Sequence, residues 1–246
     1  MTKRPLAALL IAGTVLTLAA CSENGGAKSI EGGISATSDL SGLRNFTGVE
    51  VSGPDDVRVT VGPAFKVTAQ GDPKVLARIE VAVKDGILYI GRKKQVGIAW
   101  ESGDKGAIIS VAMPALASAS LTGSGDVTID RATGKALDLS LTGSGDLSLG
   151  DARVDMLKAS LTGSGGIKVA GVAQNASLSA TGSGDVDAGG LKAGSGDVNL
   201  LGSGDVRLQS DGAVKVHIMG SGNADIIGKA KCTVAAMGSG EARCRG

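Results

Sequence analysis

Seven Gly-Ser-Gly triplets divide the second half of this 246-residue chain into nearly equal units. They begin at Gly123, Gly143, Gly163, Gly182, Gly202, Gly220 and Gly238, at spacings of 20, 20, 19, 20, 18 and 18 residues. A further copy, Gly194-Ser195-Gly196-Asp197, interrupts the fourth interval. A sustained period near 20 means stacked copies of one unit, each too small to bury its apolar face alone. Such a unit is too short for a strand-helix-strand crossover, and no helical period is present. The spacing therefore predicts an all-β, parallel β-helix (a solenoid), each coil rising about 4.8 Å. A propeller would need blades of about 40 residues with aromatic signatures, whereas residues 115–246 contain no Phe, Tyr or Trp. They also contain no Pro, as suits a backbone whose N–H groups are used in ladders.

Parity within a unit assigns its faces. Leu137, Leu139, Leu141, Gly143, Gly145, Leu147 and Leu149 all fall on odd positions, as do Leu121, Gly123, Gly125, Val127 and Ile129 one unit earlier. Residues two apart share a strand face, so the glycines share the core face and Ser124, Asp126 and their equivalents face water. Two inward glycines mark a place where the coil narrows or bends and a Cβ does not fit.

Residues 46–114 read differently, as a region of short strands. Val49 and Val51, Val57 to Val61, Phe65 to Ala69 and Ile79 to Val83 alternate with polar residues. Gly53-Pro54, Gly62-Pro63, Asp72-Pro73 and Asp85-Gly86 punctuate them as turns. Ahead of this region, Lys3 and Arg4 precede an apolar run from Leu6 to Leu18 that ends in Leu18-Ala19-Ala20-Cys21. The run is too short to span a bilayer comfortably and matches a secretory h-region followed by a lipobox. Residues 1–20 are expected to be a lipoprotein signal peptide, Cys21 the lipidated residue, and residues 21–45 a Gly- and Ser-rich tether. Acyl chains on Cys21 would make a membrane the first partner. Ser22, where Asp would favour the inner membrane, points to the outer membrane of a double-membrane cell envelope.

The pattern resembles the head GIN domain family of putative auto-transporter adhesins from about Phe46 to the C-terminus. The resemblance rests on Phe46 through Asp72, on Asp85-Gly86-Ile87-Leu88-Tyr89-Ile90, on the repeated Leu-Thr-Gly-Ser-Gly-Asp, and on the closely spaced extra copy at Gly194. It implies a right-handed single-stranded β-helix over residues 115–246 preceded by the short-strand region. It carries no catalytic or binding residues with it.

Composition excludes several chemistries. With 25 basic and 24 acidic residues, the chain has no excess charge for nucleic acid. His217 is the only His, so a His-based triad or metal site has little to build on. No cofactor motif is present. The column Asp126, Asp146, Gly166, Asp185, Asp205, Asn223 and Glu241, with Asp197 in the extra copy, reads either as calcium ligands or as solvated turn residues bonded to nearby N–H groups. The calcium candidates are Asp126, Asp146, Asp185 and Asp205. Gly166 and Asn223 break the column, and the turn reading stands as the simpler one. Arg92-Lys93-Lys94 reads as a solvated turn. Cys232 and Cys244 flank Gly238 symmetrically on the core parity. They are either a disulfide, which needs Cα atoms within about 7 Å, or two small apolar fillers. The position before each triplet reads Thr122, Thr142, Thr162 and Thr181, then Leu201, Met219 and Met237. In stacked coils the last three form an outward apolar stripe for a partner or a second copy, unless covered or turned inward.

The function expected is that of a non-enzymatic, lipid-anchored envelope protein presenting an interaction surface, an adhesin. A periplasmic structural or signalling module binding another envelope protein is the alternative. A polysaccharide-active β-helix enzyme would need paired carboxylates in a cleft, and here the carboxylates are spread one per coil.

Overall fold

A computed structural model describes residues 28–29, 37–40, 42–93 and 106–245. The expected signal peptide, Cys21 and most of the tether lie outside the described residues, as do Lys94 and Trp100.

The short-strand region supplies β1 (Lys28–Ser29), β2 (Thr37–Asp39), β3 (Gly48–Gly53), β4 (Asp56–Val61), β5 (Lys66–Gln70), helix α1 (Pro73–Leu76), β6 (Ile79–Lys84), β7 (Ile87–Arg92) and β8 (Ile108–Met113). The repeat region supplies β9 (Ser118–Gly123), β10 (Val127–Gly143), β11 (Asp146–Gly163), β12 (Gly166–Gly182), β13 (Asp185–Gly202), β14 (Val206–Ser210), β15 (Ala213–Gly220), β16 (Ala224–Ile227), β17 (Lys231–Gly238) and β18 (Ala242–Arg245). Asp85 and Gly86 turn the β6–β7 hairpin with φ of 51° and 76°, the positive pair that a tight two-residue hairpin needs. Asp72-Pro73 begins α1 rather than a simple turn. Asp72 is the N-cap, its Oδ1 accepting from Lys74 N at 2.8 Å.

The repeat forms the parallel solenoid its period implies. Each of β10 to β13 runs from one Gly-Ser-Gly corner to the next and bends midway, so its first half lies on one wall and its second half on the other. Stacking is in register: Leu147 pairs with Ile167 and Leu161 with Ala180. In the last two coils the period falls to 18 and the long strand splits into β14 and β15, then β16 and β17. The core-parity aliphatics are buried, Leu137, Leu139, Leu141, Leu147 and Leu149 among them, and after the 19-residue spacing the even-numbered Val186, Val206 and Val216 take their place.

The change of composition at residue 114 is not a break in this structure. β3 stacks on β9 with Gly53 opposite Gly123, and β4 stacks on β10 with Val57 opposite Val127. Gly53-Pro54-Asp55-Asp56 thus occupies the corner that Gly123-Ser124-Gly125-Asp126 takes one coil later. Beneath this first coil lie β7 and β8, parallel to it. Below them come β6 and β5, antiparallel, and then β1 and β2 at the outermost layer. One hydrophobic cluster runs from Leu40 to Ile226.

Arg92 is not in a solvated turn. It ends β7 and is buried against Asp55, donating Nε to Oδ2 at 2.8 Å and Nη2 to Oδ1 at 2.7 Å. Ala107 N adds a 2.8 Å bond to the same carboxylate, so the buried charge is both paired and hydrogen-bonded.

The corner glycines lack room for a Cβ, but for a different reason from an inner narrowing. A Cβ on Gly143 or Gly145 would run along the rod axis into the backbone carbonyl of Gly123 or Gly125 in the coil before. The first glycine of each triplet also holds φ between 119° and 141°, where side chains are strained. Gly145→Ala is expected to cost about 3 kcal/mol or more through this clash. Gly62→Ala, with nothing within 4 Å of its Cβ position, should stay within about 0.5 kcal/mol. Denaturant melts of the two variants make the comparison.

Candidate contact surface

The corner sets what faces outward on either side of it. The first-glycine carbonyl accepts two N–H bonds from the next coil at most corners: Gly123 O takes Ser144 N at 3.0 Å and Gly145 N at 3.2 Å, while Gly182 O takes Ser203 N alone at 2.9 Å. This pins the residue just before the corner and the residue just after it into straight columns along the rod.

The column before the corner starts at Ser52, opposite Thr122. It continues with Thr142 opposite Thr162, Thr181 opposite Leu201, Leu201 opposite Met219, and Met219 opposite Met237. All face solvent, and Leu201, Met219 and Met237 are 44%, 56% and 69% exposed. These three residues stand in one exposed line at the C-terminal end of the rod. Among the described residues nothing covers them.

The column after the corner is a hydrogen-bonded ladder. Asp126 N donates to Asp56 Oδ1 at 3.0 Å, and Asp146 N to Asp126 Oδ1 at 3.0 Å. A second run links Asp205 N to Asp185 Oδ1 at 2.7 Å, Asn223 N to Asp205 Oδ1 at 2.9 Å and Glu241 N to Asn223 Oδ1 at 3.2 Å. Gly166 separates the runs, its N–H going to Gly145 O instead. Asp56, Asp126, Asp185 and Asp205 thus meet the backbone of the next coil, the turn reading of these residues, whereas among the described residues Asp146 accepts no such bond. Among the described residues no group of three or more His, Cys, Asp or Glu is placed to hold a metal ion. Asp56 heads the first run and was not part of the column read from the repeat. Asp197 does not belong to the column: it lies within β13, paired with Ser177 and Lys215, and accepts from Asn199 Nδ2 at 2.6 Å. The extra Gly-Ser-Gly copy is therefore strand, not corner.

Cys232 on β17 and Cys244 on β18 form a disulfide, with Cα atoms 6.6 Å apart. It ties the two walls of the last coil at the point where its interior opens to solvent. His217 is exposed, between Asn199 and Ala235. An open groove of about 390 Å³ beside the Asp column includes Asp225, Arg207 and Arg245. Arg245 reaches Asp225 at 3.0 Å, so its charges are largely met within the chain.

A family model described as "Putative auto-transporter adhesin, head GIN domain" matches residues 45–230. No curated protein matches the sequence. Among solved structures, a putative adhesin from Bacteroides fragilis is similar, with a TM-score of 0.73 at 22% identity over 84% of this chain and 95% of that one. A putative lipid binding protein from Parabacteroides distasonis gives 0.68 at 22%, and a putative adhesin from Parabacteroides merdae 0.64 at 19%, each over 84% of this chain and 95% of its own. These likenesses establish a shared fold.

Two outcomes follow from the ladder and the disulfide. Asp205→Ala should cost about 0.5–1 kcal/mol, because it removes the exposed acceptor of Asn223 N, while Asp205→Asn keeps the acceptor and most of the stability; chemical denaturation of both variants checks this. Reduction of Cys232–Cys244 should speed amide exchange in β17 and β18 while leaving β10 to β12 unchanged.

Proposed function

The chain belongs to the head GIN domain family of putative auto-transporter adhesins, and on that premise we propose that it is a non-enzymatic, lipid-anchored rod of the cell envelope that offers its solenoid surface for adhesive contact. The observation that carries this reading is the exposed Leu201, Met219 and Met237 line. Aligned large apolar side chains in water are unfavourable unless a partner covers them. They sit at the end of the rod farthest from β1 and β2, the first described strands. The anchor itself rests on Lys3, Arg4, the Leu6–Leu18 run and Cys21, and outer-membrane placement rests on Ser22. Among the described residues no helix is long and apolar enough to cross a membrane.

Cys21→Ala is expected to abolish fatty-acid labelling of the protein. Protease applied to intact cells should remove the protein, and complete protection would place it in the periplasm and overturn the adhesive reading. The triple variant L201T/M219T/M237T should keep the parent's melting temperature and weaken cell attachment by about tenfold or more. A lower melting temperature with unchanged attachment would make these residues part of the fold's own packing.

A further inference from the structure

The two ends of the rod are unlike. The N-terminal end closes with antiparallel strands and finishes in β1 and β2, of two and three residues. At the C-terminal end the last described strands are β17 and β18, and among the described residues no strand pairs with their outer edges. β17 is eight residues long, and an unpaired edge of that length is a template for another strand. Its core-parity residue Val234 is 45% exposed. The edge also has a defined hydrogen-bonding phase. Lys231 N donates to Gly212 O and Ser239 N to Gly220 O, so the odd residues of β17 face the preceding coil. The even residues, Val234 at their centre, direct N–H and C=O at the open edge. On β18, Glu241 O and Arg245 O accept from the preceding coil, which leaves Ala242 facing the edge.

We propose that the open C-terminal end binds a second copy of this chain, end to end about a two-fold axis through Val234 and Ala242. The Cys232–Cys244 bond fixes which residues of the two walls face each other, and two positions along from it Val234 stands opposite Ala242. A two-fold axis through both brings β17 onto β17 and β18 onto β18 as antiparallel pairs, edge group to edge group, in an isologous contact. The two open interiors then join into one core, with Val234 packed on its symmetry mate. Charge selects this register. It places Glu241 of each copy opposite Arg243 of the other, twice, extending the Glu241–Arg243 pair of 2.9 Å already present within one chain. Moving the axis by one residue along β18 would set Glu241 against Glu241 or Arg243 against Arg243. Head-to-tail stacking has no matching strand at the closed end.

Resting on the anchored-rod reading, this arrangement also says what the contact does. It holds the two closed ends, and the N-terminal segments leaving them, at opposite extremes of a doubled rod. The dimer therefore bridges two facing membranes, a homophilic contact between surfaces.

Sedimentation of the chain at rising concentration tests the dimer. The parent should associate, E241R and R243E should each weaken association by about tenfold or more, and E241R/R243E should restore it. Equal melting temperatures guard against a folding defect. A parent that stays monomeric, or a double reversal that fails to rescue, overturns the proposal. Vesicles carrying the lipidated chain should cluster with the parent and not with E241R, and association in solution without clustering overturns the bridging role. A failure of lipid attachment would leave the solution dimer untouched, and a monomer would leave the anchored rod untouched, so the two readings fail separately.

Discussion

The first carbonyl of each Gly-Ser-Gly corner decides most of this molecule. At most corners it accepts two N–H groups from the coil above, as Gly143 O does from Ser164 at 2.9 Å and Gly165 at 3.1 Å, and at Gly182 it accepts Ser203 alone. Two donors on one oxygen bring successive backbones so close that neither glycine can carry a Cβ. The requirement recurs at every turn and is strict, so the triplet recurs in the sequence. Everything outside the corner inherits its register: the Leu, Val and Ile columns inside, the Thr-to-Met column on one shoulder and the Asp ladder on the other.

The Asp ladder shows a once-per-coil side chain taking up a backbone role. A carboxylate once per coil has the spacing of a metal column, and here Asp56, Asp126, Asp185 and Asp205 each accept a backbone N–H from the next coil, 2.7 Å away for Asp205 N. The side chain continues the backbone pairing where the strand has not yet begun. Asn223 serves as well as Asp because only a carbonyl-type oxygen is needed, and Gly166 interrupts the ladder where a backbone carbonyl takes its place.

The core, the corners and the outward stripe were legible because each follows from parity plus a fixed period. What escaped were features that break the letters while keeping the geometry, or keep the letters while breaking the phase. Gly53-Pro54-Asp55-Asp56 is a corner, but Pro and Asp stand where later coils have Ser and Gly, so the first coil looked like a separate region. Gly194-Ser195-Gly196-Asp197 has the letters of a corner but lies 12 residues after Gly182, on the opposite wall. Arg92 reaches Asp55 across 37 residues, a distance at which neither periodicity nor a charge run carries a signal.

Site-resolved amide hydrogen exchange on the dilute protein tests the corner account most directly. The N–H groups of Ser124 and Gly125, bonded to Gly53 O, and those of the later triplets bonded in the same way, such as Ser144 with Gly145 and Ser221 with Gly222, should exchange as slowly as the buried strands. That outcome would bind the short-strand region and the repeat into one rod held by the same contact. Corner amides that exchange at the rate of free loops, while the strands stay protected, would mean that side-chain packing alone sets the register and would contradict the account.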